Sequence, residues 1–474
     1  MPNRKNLTLS VAASAAALLL LFTSGLAMAA EAPEVDQYEL DNGMQVVVIP
    51  DHRTPVVVHS VWYRVGGADE PYGKSGIAHF LEHLMFKGTK EVPAGEFSKI
   101  VARNGGQDNA FTAQDYTGYY QMVAKDRLPL VMKMEADRMV NLQLTDDVVY
   151  PERKVIIEER RSRIDNQPGA ILGEQMNALQ FLHHQYGEPL IGWLDEMQKL
   201  TREDAEAFYH RFYTPTDAIL IVVGDVTGEE VLELAKTYYG VLPRREVPPS
   251  NRVQEPQPRA PRTVTFTHPD VGQPMWRRSY LAPSAHKGET ELAPALEVLS
   301  QYLGGGTLSQ LYQSLVVRQK IAAAAGGFYT AEQKDLSTFD IYAIPAPGQD
   351  LGALEAAVDA EIDRVKAGDI DMAAVDRAKT LLKATVIYSR DNIMSMMRIY
   401  GTVITAGLPV SYITDWEKNI DAVTIDDLKA AADAVLQPER SVTGELLPAK
   451  AGAPQEAAEP QAALQQPSSE PAEQ

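Results

Sequence analysis

The chain has no cysteine among its 474 residues. Disulfide bonds, a lipid-modified cysteine and zinc sites built from thiolates are therefore excluded. Any zinc site must use histidine and carboxylate ligands, which nine histidines and 64 acidic residues can supply.

Positive charge is also scarce. The 44 lysines and arginines face 64 acidic residues and leave a formal net charge of −20 at pH 7. A chain of this charge repels nucleic acid and anionic membrane surfaces. We therefore expect no nucleic-acid partner.

The apolar run nearest the N-terminus is short. Residues 11–22 follow Arg4 and Lys5 and are too few to span a bilayer comfortably. The segment Ala27-Met28-Ala29-Ala30 then offers a cleavage site of small residues. We predict a signal peptide over residues 1–30, with an anchor helix as the alternative. Export without a second apolar span predicts the periplasm, or secretion beyond it, and no stable membrane anchor.

The most informative segment is His79-Phe80-Leu81-Glu82-His83, whose pattern H-x-x-E-H reverses the usual zinc-protease order. On a helix, His79 and His83 lie one turn apart on one face and can bind one zinc ion. Glu82 flanks that face, where it can act as a general base on a water but not as a third ligand. The alternative is a set of surface side chains. Apolar neighbours predict instead a largely buried helix, in which histidines need partners.

A third ligand is expected from another helix rich in carboxylates. Residues 151–160 form such a pattern, in which Glu152 and Glu159 are two helical turns apart and share a face. We favour Glu159 as the ligand and Glu152 as a supporting carboxylate near one of the histidines. On spacing alone, Glu158 is a rival ligand, and a solvated helix with arginine pairs is the other alternative.

Strand and helix patterns follow one another without strict alternation, which predicts an α+β layer fold. A hairpin is expected over residues 38–50 around Asp41-Asn42-Gly43. Further strands are expected over 55–65 and 116–123, and helices over 74–86, 128–142 and 150–163.

The two halves of the chain look like a diverged repeat. Thr201 precedes Pro215 by 14 residues (215−201), and Thr424 precedes Pro438 by the same 14 (438−424). We predict an N-terminal zinc-bearing domain over 31–245, a linker over 246–262 and a metal-free homologous domain over 263–447. Residues 448–474, rich in Ala, Pro, Gln and Glu, are predicted to be a disordered tail. In the second half, the positions equivalent to His79, Glu82 and His83 hold Glu297, Ser300 and Gln301.

Three blocks carry a resemblance to a known family: residues 76–89 (GIAHFLEHLMFKGT), residues 105–117 (GGQDNAFTAQDYT) and residues 152–159 (ERKVIIEE). The chain resembles the pitrilysin and mitochondrial processing peptidase family of inverted-motif zinc metallopeptidases, as a half-length exported bacterial member. The resemblance implies one zinc per chain, Glu159 rather than Glu158 as the third ligand, and a supporting role for Glu152. It also implies two homologous domains, each a mostly antiparallel sheet packed with helices, that form half of a clamshell.

The same resemblance implies a peptide-binding edge. Family members pair with substrate by strand addition at Asn109-Ala110-Phe111-Thr112 and the strand that follows. From the residues alone, the strand over 116–123 could equally be an interior core strand.

One departure from the family bears on partners. Active members carry an Arg and a Tyr in the metal-free half, and the corresponding positions here are Val316 and Ala323 (323−316 = 7). Arg318 is near, but Tyr329 is too far away to complete the pair. We predict a heterodimer with a metal-free homologous partner that supplies the Arg and Tyr, and a homodimer is the alternative.

Together these features predict a zinc endopeptidase that cuts peptides or unfolded segments in a closed chamber. The alternative is a non-catalytic peptide-binding or structural subunit of a peptidase-like complex. An intact Glu82 favours the enzyme, because a binding module has no use for a general base beside a metal.

Overall fold

The computed structural model describes residues 34–248 and 252–449. The predicted signal peptide lies outside these residues, as does the predicted tail apart from residues 448 and 449. Within the described residues, no helix combines the length and the apolar content needed to cross a membrane.

Residues 34–248 contain six strands and eight α-helices. The strands are β1 (Asp36–Glu39), β2 (Gln45–Pro50), β3 (Val56–Tyr63), β4 (Gln107–Thr112), β5 (Thr117–Ala124) and β6 (Ala218–Gly224). The helices are α1 (Ile77–Leu84), α2 (Glu96–Arg103), α3 (Leu128–Asn141), α4 (Asp146–Arg160), α5 (Pro168–Gln180), α6 (Leu194–Met197), α7 (Arg202–Phe212) and α8 (Gly228–Tyr238).

The second half repeats this composition in shorter form. Its strands are β7 (Arg262–His268), β8 (Met275–Ala282), β9 (Ala322–Tyr329), β10 (Ser337–Pro345) and β11 (Ser441–Pro448). Its helices are α9 (Ala293–Gly304), α10 (Leu351–Lys366), α11 (Met372–Ser389), α12 (Ile393–Thr405), α13 (Val410–Thr414), α14 (Trp416–Ala422) and α15 (Ile425–Val435). Two π-helical segments cover Arg161–Asp165 and Tyr312–Arg318.

Each half is built on one mixed sheet. The two sheets have the same strand order, except that the first has β1 as an additional edge strand. The first runs β1-β2-β6-β3-β5-β4 and the second runs β7-β11-β8-β10-β9. In both, a single pair is parallel, β2 with β6 and β7 with β11, and the other pairs are antiparallel. The predicted α+β class with two homologous, mostly antiparallel sheets is confirmed.

The repeat extends to the capping chemistry of single helices. The side chain of Thr201 accepts a hydrogen bond from the backbone N–H of Asp204 at the start of α7, and Thr424 does the same with Asp427 at the start of α15. In both halves a 3-10 turn that begins with proline follows the helix and leads into an interior strand, β6 in the first half and β11 in the second. The reciprocal Thr–Asp caps fix both helix starts.

One predicted helix begins earlier in the structure than expected, whereas the predicted hairpin forms in place. The hairpin forms as expected around Gly43, whose φ of 88° suits glycine. Helix α4, however, begins at Asp146 rather than residue 150, and Pro151 lies inside it. Asp146 and Asp147 in the first turn stabilise this earlier start by facing the positive end of the helix dipole.

Each sheet is covered on one face by a helix from the other half of the chain. We call this the outer face; in the first sheet it is the face opposite α1. Helix α12 of the second half packs there, with Met397 and Tyr400 in one buried cluster with Trp62. Gly401 permits the close approach, because a Cβ atom there would lie 2.2 Å from the indole ring of Trp62.

The second sheet is covered in the same way by a helix of the first half. Helix α5 of the first half packs on the outer face of the second sheet, where Leu172 and Met176 are buried with Val442 and Leu446. Gly444 provides the space, since a Cβ atom there would lie 2.2 Å from Sδ of Met176. The predicted strand over 55–65 is β3 of the first sheet. It is buried on both faces because the core that contains α1 packs on one face and α12 packs on the other.

The segment before β7 has no helix or strand over residues 252–259, but it is anchored. Nη2 of Arg252 lies 2.8 Å from Oδ2 of Asp69, and Nη1 lies 3.1 Å from Oδ2 of Asp335 and also contacts Asp115. All four side chains are largely buried. Because Asp69 and Asp115 belong to the first half and Asp335 to the second, Arg252 joins the two halves by ion pairs.

Candidate metal centre

Helix α1 is set in place by a carboxylate that the sequence reading missed. Glu70 accepts hydrogen bonds from the backbone N–H groups of Gly76 (2.8 Å) and Ala78 (2.9 Å), which have no acceptor within the helix because they lie at its start. Gly76 has φ of 82°, and a Cβ atom there would lie 2.5 Å from the carbonyl oxygen of Ile191. The start of the motif helix is therefore fixed both by a cap and by close backbone packing.

The structure brings His79, His83 and Glu159 together. Oε2 of Glu159 lies 3.7 Å from Nε2 of His79 and 3.4 Å from Nε2 of His83. One ligand atom from each residue lies within 4.8 Å of the other two. Nitrogen and oxygen ligands ~2.0–2.1 Å from a tetrahedral zinc ion are about 3.4 Å apart, so the three side chains fit zinc.

Glu158 and Glu159 point in different directions. The side chain of Glu158 is 67% exposed and pairs with Arg161, whereas that of Glu159 is 15% exposed and faces the histidines. Nη1 of Arg163 lies 2.7 Å from the other oxygen of Glu159, Oε1. Arg163 thus leaves Oε2 free to face the histidines. The i,i+4 spacing of Glu159 and Arg163 is a sequence signal that the prediction did not use.

Glu152 orients His83. Its Oε1 lies 2.9 Å from Nδ1 of His83, and its other oxygen contacts Nζ of Lys87. Burial alone would raise the pKa of Glu152, but the hydrogen bonds with His83 and Lys87 outweigh it and lower that pKa. Nδ1 of His83 can therefore donate to a carboxylate, which leaves Nε2 as the free ring nitrogen on the Glu159 side.

The pKa values of the two histidines are shifted in opposite directions. Burial, followed by the positive charges of His83 and Arg163, lowers the pKa of His79 to about 3. Burial would also lower the pKa of His83, but the hydrogen bond with Glu152 and the charges of Glu159 and Glu82 raise it. His79 is thus neutral at neutral pH, which is the form that binds a metal.

Glu82 is held by the neighbouring strand. Oγ1 of Thr112 on β4 donates a hydrogen bond of 2.5 Å to Oε2 of Glu82. Burial raises the pKa of Glu82 even though the bond from Thr112 lowers it. A carboxylate with a raised pKa is a stronger base, as a general base requires.

The predicted substrate residues border the same cavity. A space of about 640 Å³ is lined by His79, Glu82, His83 and Glu159 and by Asn109, Ala110, Phe111 and Thr112. Strand β4 is the last strand of its sheet and pairs only with β5 among the described strands. Strand β5 lies between β3 and β4, so the expectation that the following strand also pairs with substrate is wrong.

The second half places other groups at the equivalent positions. Helix α9 carries Glu297, whose carboxylate accepts hydrogen bonds from Nε1 of Trp416 (2.7 Å) and the hydroxyl of Tyr412 (3.3 Å). Val316 packs against the second core and Ala323 lies on β9, while the hydroxyl of Tyr329 donates to the carbonyl of Pro283. Across residues 34–248 and 252–449, the only group of three metal-binding side chains is that of His79, His83 and Glu159.

Comparison with protein families gives two matches in tandem. The profile described as Insulinase (Peptidase family M16) matches residues 45–193. The profile described as Peptidase M16 inactive domain matches residues 199–382. The first match contains all of the candidate metal centre, and the second covers much of the half without it.

Individual relatives match over nearly the whole chain. Zinc protease PqqE of Helicobacter pylori is 33% identical over 91% of this chain and 97% of that protein. The mitochondrial-processing peptidase subunit beta of Dictyostelium discoideum is 24% identical over 85% of this chain and 87% of that protein.

Solved structures share the fold. The crystal structure of a protease from Helicobacter pylori matches with a TM-score of 0.82 and 32% identity over 88% of this chain and 100% of that chain. The crystal structure of the periplasmic protease PqqL from Escherichia coli matches with a TM-score of 0.75 and 18% identity over 88% of this chain and 48% of that chain. At that identity the second likeness shows the fold alone.

Proposed function

The chain belongs to the M16 family of zinc proteases, and from that premise we propose that it is a zinc-dependent endopeptidase acting on peptides or unfolded polypeptide segments. One observation carries the proposal. His79, His83 and Glu159 present ligand atoms within 4.8 Å of one another. On the same helix, Glu82 is held beside them by Thr112.

His79, His83 and Glu159 would hold one zinc ion per chain. When bound there, zinc supplies Lewis acidity, which polarises a carbonyl group and lowers the pKa of water toward neutrality. Glu152 keeps His83 in the orientation that leaves Nε2 free, and Arg163 does the same for Oε2 of Glu159.

Glu82 moves the proton. It takes a proton from the attacking water as the new carbon–oxygen bond forms, and it returns that proton to the amine nitrogen as the peptide carbon–nitrogen bond breaks. Thr112 fixes the carboxylate of Glu82 relative to β4. A substrate strand paired with the free edge of β4 would present its main chain at this point.

We further propose that the chain works with a homologous metal-free partner that completes a closed chamber. The support is the absence of an arginine at Val316 and of a tyrosine at Ala323, with Arg318 exposed nearby. A homodimer is the alternative. The features of residues 1–30 support export to the periplasm.

The test compares the purified chain from residue 31 onward with its Glu82→Gln variant on a quenched fluorescent peptide, with zinc content measured in both. We expect both proteins to hold one zinc and only the wild type to cut, with turnover at least about 100-fold lower in the variant. Full activity in Glu82→Gln would refute the role of Glu82.

The two remaining outcomes separate the alternatives. If neither protein cuts although zinc is bound, the homologous metal-free chain is added, and restored cleavage supports the heterodimer. If peptides bind but no combination cuts them, the non-catalytic binding function replaces the peptidase. Removal of zinc with a chelator should abolish cleavage, and added zinc should restore it.

A further inference from the structure

Arg398 is an exposed cation beside the peptide-binding edge. It lies on α12, the helix that the second half contributes to the outer face of the first sheet. Its guanidinium carbon lies 4.4 Å from the centre of the Phe111 ring on β4. Among residues 34–248 and 252–449, Arg398 has no carboxylate within ion-pair distance.

Phe111 points away from the metal centre. Its ring covers Gly118 on β5, where a Cβ atom would lie 2.4 Å from the ring, and it meets the indole of Trp62 edge-on at 4.7 Å. Its neighbour Thr112 points to the other face, where it bonds to Glu82. Because side chains alternate along a strand, β4 offers one face to the metal centre and the other to Arg398.

Arg398, whose guanidinium carbon lies over the Phe111 ring, still has N–H groups that can donate hydrogen bonds. Stacking on a ring uses the flat face of a guanidinium, while its N–H groups lie in the plane and point outward. Arg398 donates no hydrogen bond to any described residue. Its side chain is therefore held by Phe111 with its N–H groups free to bind a carboxylate.

A peptide that adds to the free edge of β4 alternates in the same way. The peptide residue directly opposite Phe111 projects to the outer face, with its Cβ atom ~4.5–5.5 Å from that of Phe111. This distance brings its side chain within reach of the guanidinium of Arg398. A carboxylate there forms charge-assisted hydrogen bonds, and a lysine or arginine is repelled.

We propose that Arg398 forms a subsite that selects an acidic side chain at the substrate residue opposite Phe111. The inference rests on the proposed peptidase function and adds a substrate preference to it. It assigns the specificity contact to the half of the chain that lacks the metal site.

The test uses one extended, fluorescently labelled peptide with a single aspartate moved along it, and matched peptides with asparagine or lysine at each place. Binding is measured by anisotropy on the full chain carrying Glu82→Gln, and cut sites are mapped with the wild type by mass spectrometry. We expect aspartate at one fixed place relative to the cut to raise affinity about 3- to 10-fold over asparagine. The two adjacent places project to the opposite face and should show no gain.

Substitutions of Arg398 then test the residue itself. Arg398→Gln should remove the difference between aspartate and asparagine, and Arg398→Glu should favour lysine at the same place. Arg377→Gln is the matched control, because Arg377 is an exposed arginine on α11 and its ion-pair partner is Asp371. Thermal unfolding confirms that each variant is folded.

The outcomes separate the two proposals. An aspartate preference that persists in Arg398→Gln would overturn the subsite, and so would binding without any positional preference, while cleavage by the wild type keeps the peptidase. If no peptide in the set binds, and none is cut even after the homologous metal-free chain is added, the peptidase proposal fails and the subsite fails with it.

Discussion

The two oxygens of Glu159 have separate partners, and this division explains how one carboxylate can serve a metal site. Oε1 is paired with Arg163 and Oε2 faces both histidines. The arrangement holds the carboxylate of Glu159 in one orientation before a metal ion binds. Such support commonly decides metal affinity as much as the ligand types do.

Replacing each of the two adjacent glutamates, Glu158 and Glu159, with glutamine in separate variants tests this geometry. We expect Glu159→Gln to weaken zinc binding by more than about 100-fold, since loss of a ligand exceeds loss of a supporting group. Glu158→Gln is the matched control and should bind zinc like the wild type, because Glu158 is exposed and faces Arg161. Competition with a chromophoric chelator gives both affinities, and equal losses in the two variants would contradict the assignment.

Sequence reasoning reached the groups that lie on one helix and missed those that depend on tertiary packing. The spacing of His79 and His83 follows from helical geometry, so it can be read from the sequence. The bond from Thr112 to Glu82 depends on how β4 lies against α1. The cap from Glu70 depends on the path of the loop before α1. Neither has a signal in residue spacing.

At the scale of elements, α12 has two structural roles. It covers the outer face of the first sheet, and it carries Arg398 to the ring of Phe111. Both roles depend on the close approach at Gly401, where the helix backbone lies against the fully buried indole of Trp62.

The closeness of this packing can be measured. Alanine normally favours a helix over glycine by ~1 kcal/mol. At Gly401 we expect Gly401→Ala instead to destabilise the fold by about 1–3 kcal/mol, because the new methyl group overlaps Trp62. Gly169→Ala, on α5 with no atom near the new methyl group, is the control and should be neutral or slightly stabilising. Urea unfolding measures both, and a stabilised Gly401→Ala would show that α12 can shift.

Elements were predicted well where the signal is local and poorly where it is not. The Asn-Gly turn, the helix that carries His79 and His83, and the strands expected over 55–65 and 116–123 each depend on signals that act within a few residues. The start of α4 was misplaced because Pro151 is tolerated inside the helix, where the sequence suggested a beginning. The exchange of α5 and α12 was not foreseen, since apolar periodicity indicates that a helix is buried but not which sheet buries it.

At the scale of the whole molecule, the ion pairs of Arg252 tie the halves together. Nε2 of His184 lies 3.2 Å from Oδ2 of Asp335, which also pairs with Arg252. The hydroxyl of Tyr186 bonds to Asp115 at 2.6 Å. The segment predicted as a linker therefore restricts how the two sheets move relative to each other. Its low apolar content concealed this role, because the contact is made by charge.

This cluster predicts a loss of stability in acid. Burial alone would raise the pKa of Asp335, but the contact with His184 and the ion pair with Arg252 lower it from 3.8 to about 2. A lowered pKa stabilises the fold above pH 3.8, and that contribution is lost as pH falls toward 2. The unfolding free energy of the wild type should thus exceed that of Asp335→Asn by a constant amount above pH 4.

Below pH 3.8 the difference between the two proteins should shrink. Denaturant unfolding of both proteins over a pH series measures it. A difference that stays the same down to pH 2 would show that the charge of Asp335 is not what joins the halves.

Helix α12 is synthesised well after the strands of the first sheet, which it covers. Strand β6 ends at Gly224 and α12 begins at Ile393, so the 168 residues 225–392 must be made between them. At ~5–20 residues per second, that is about 10–30 s of synthesis. During this interval the outer face of the first sheet is uncovered and Phe111 lacks Arg398. A nascent chain that already contains every metal-binding residue therefore still lacks a finished peptide-binding edge.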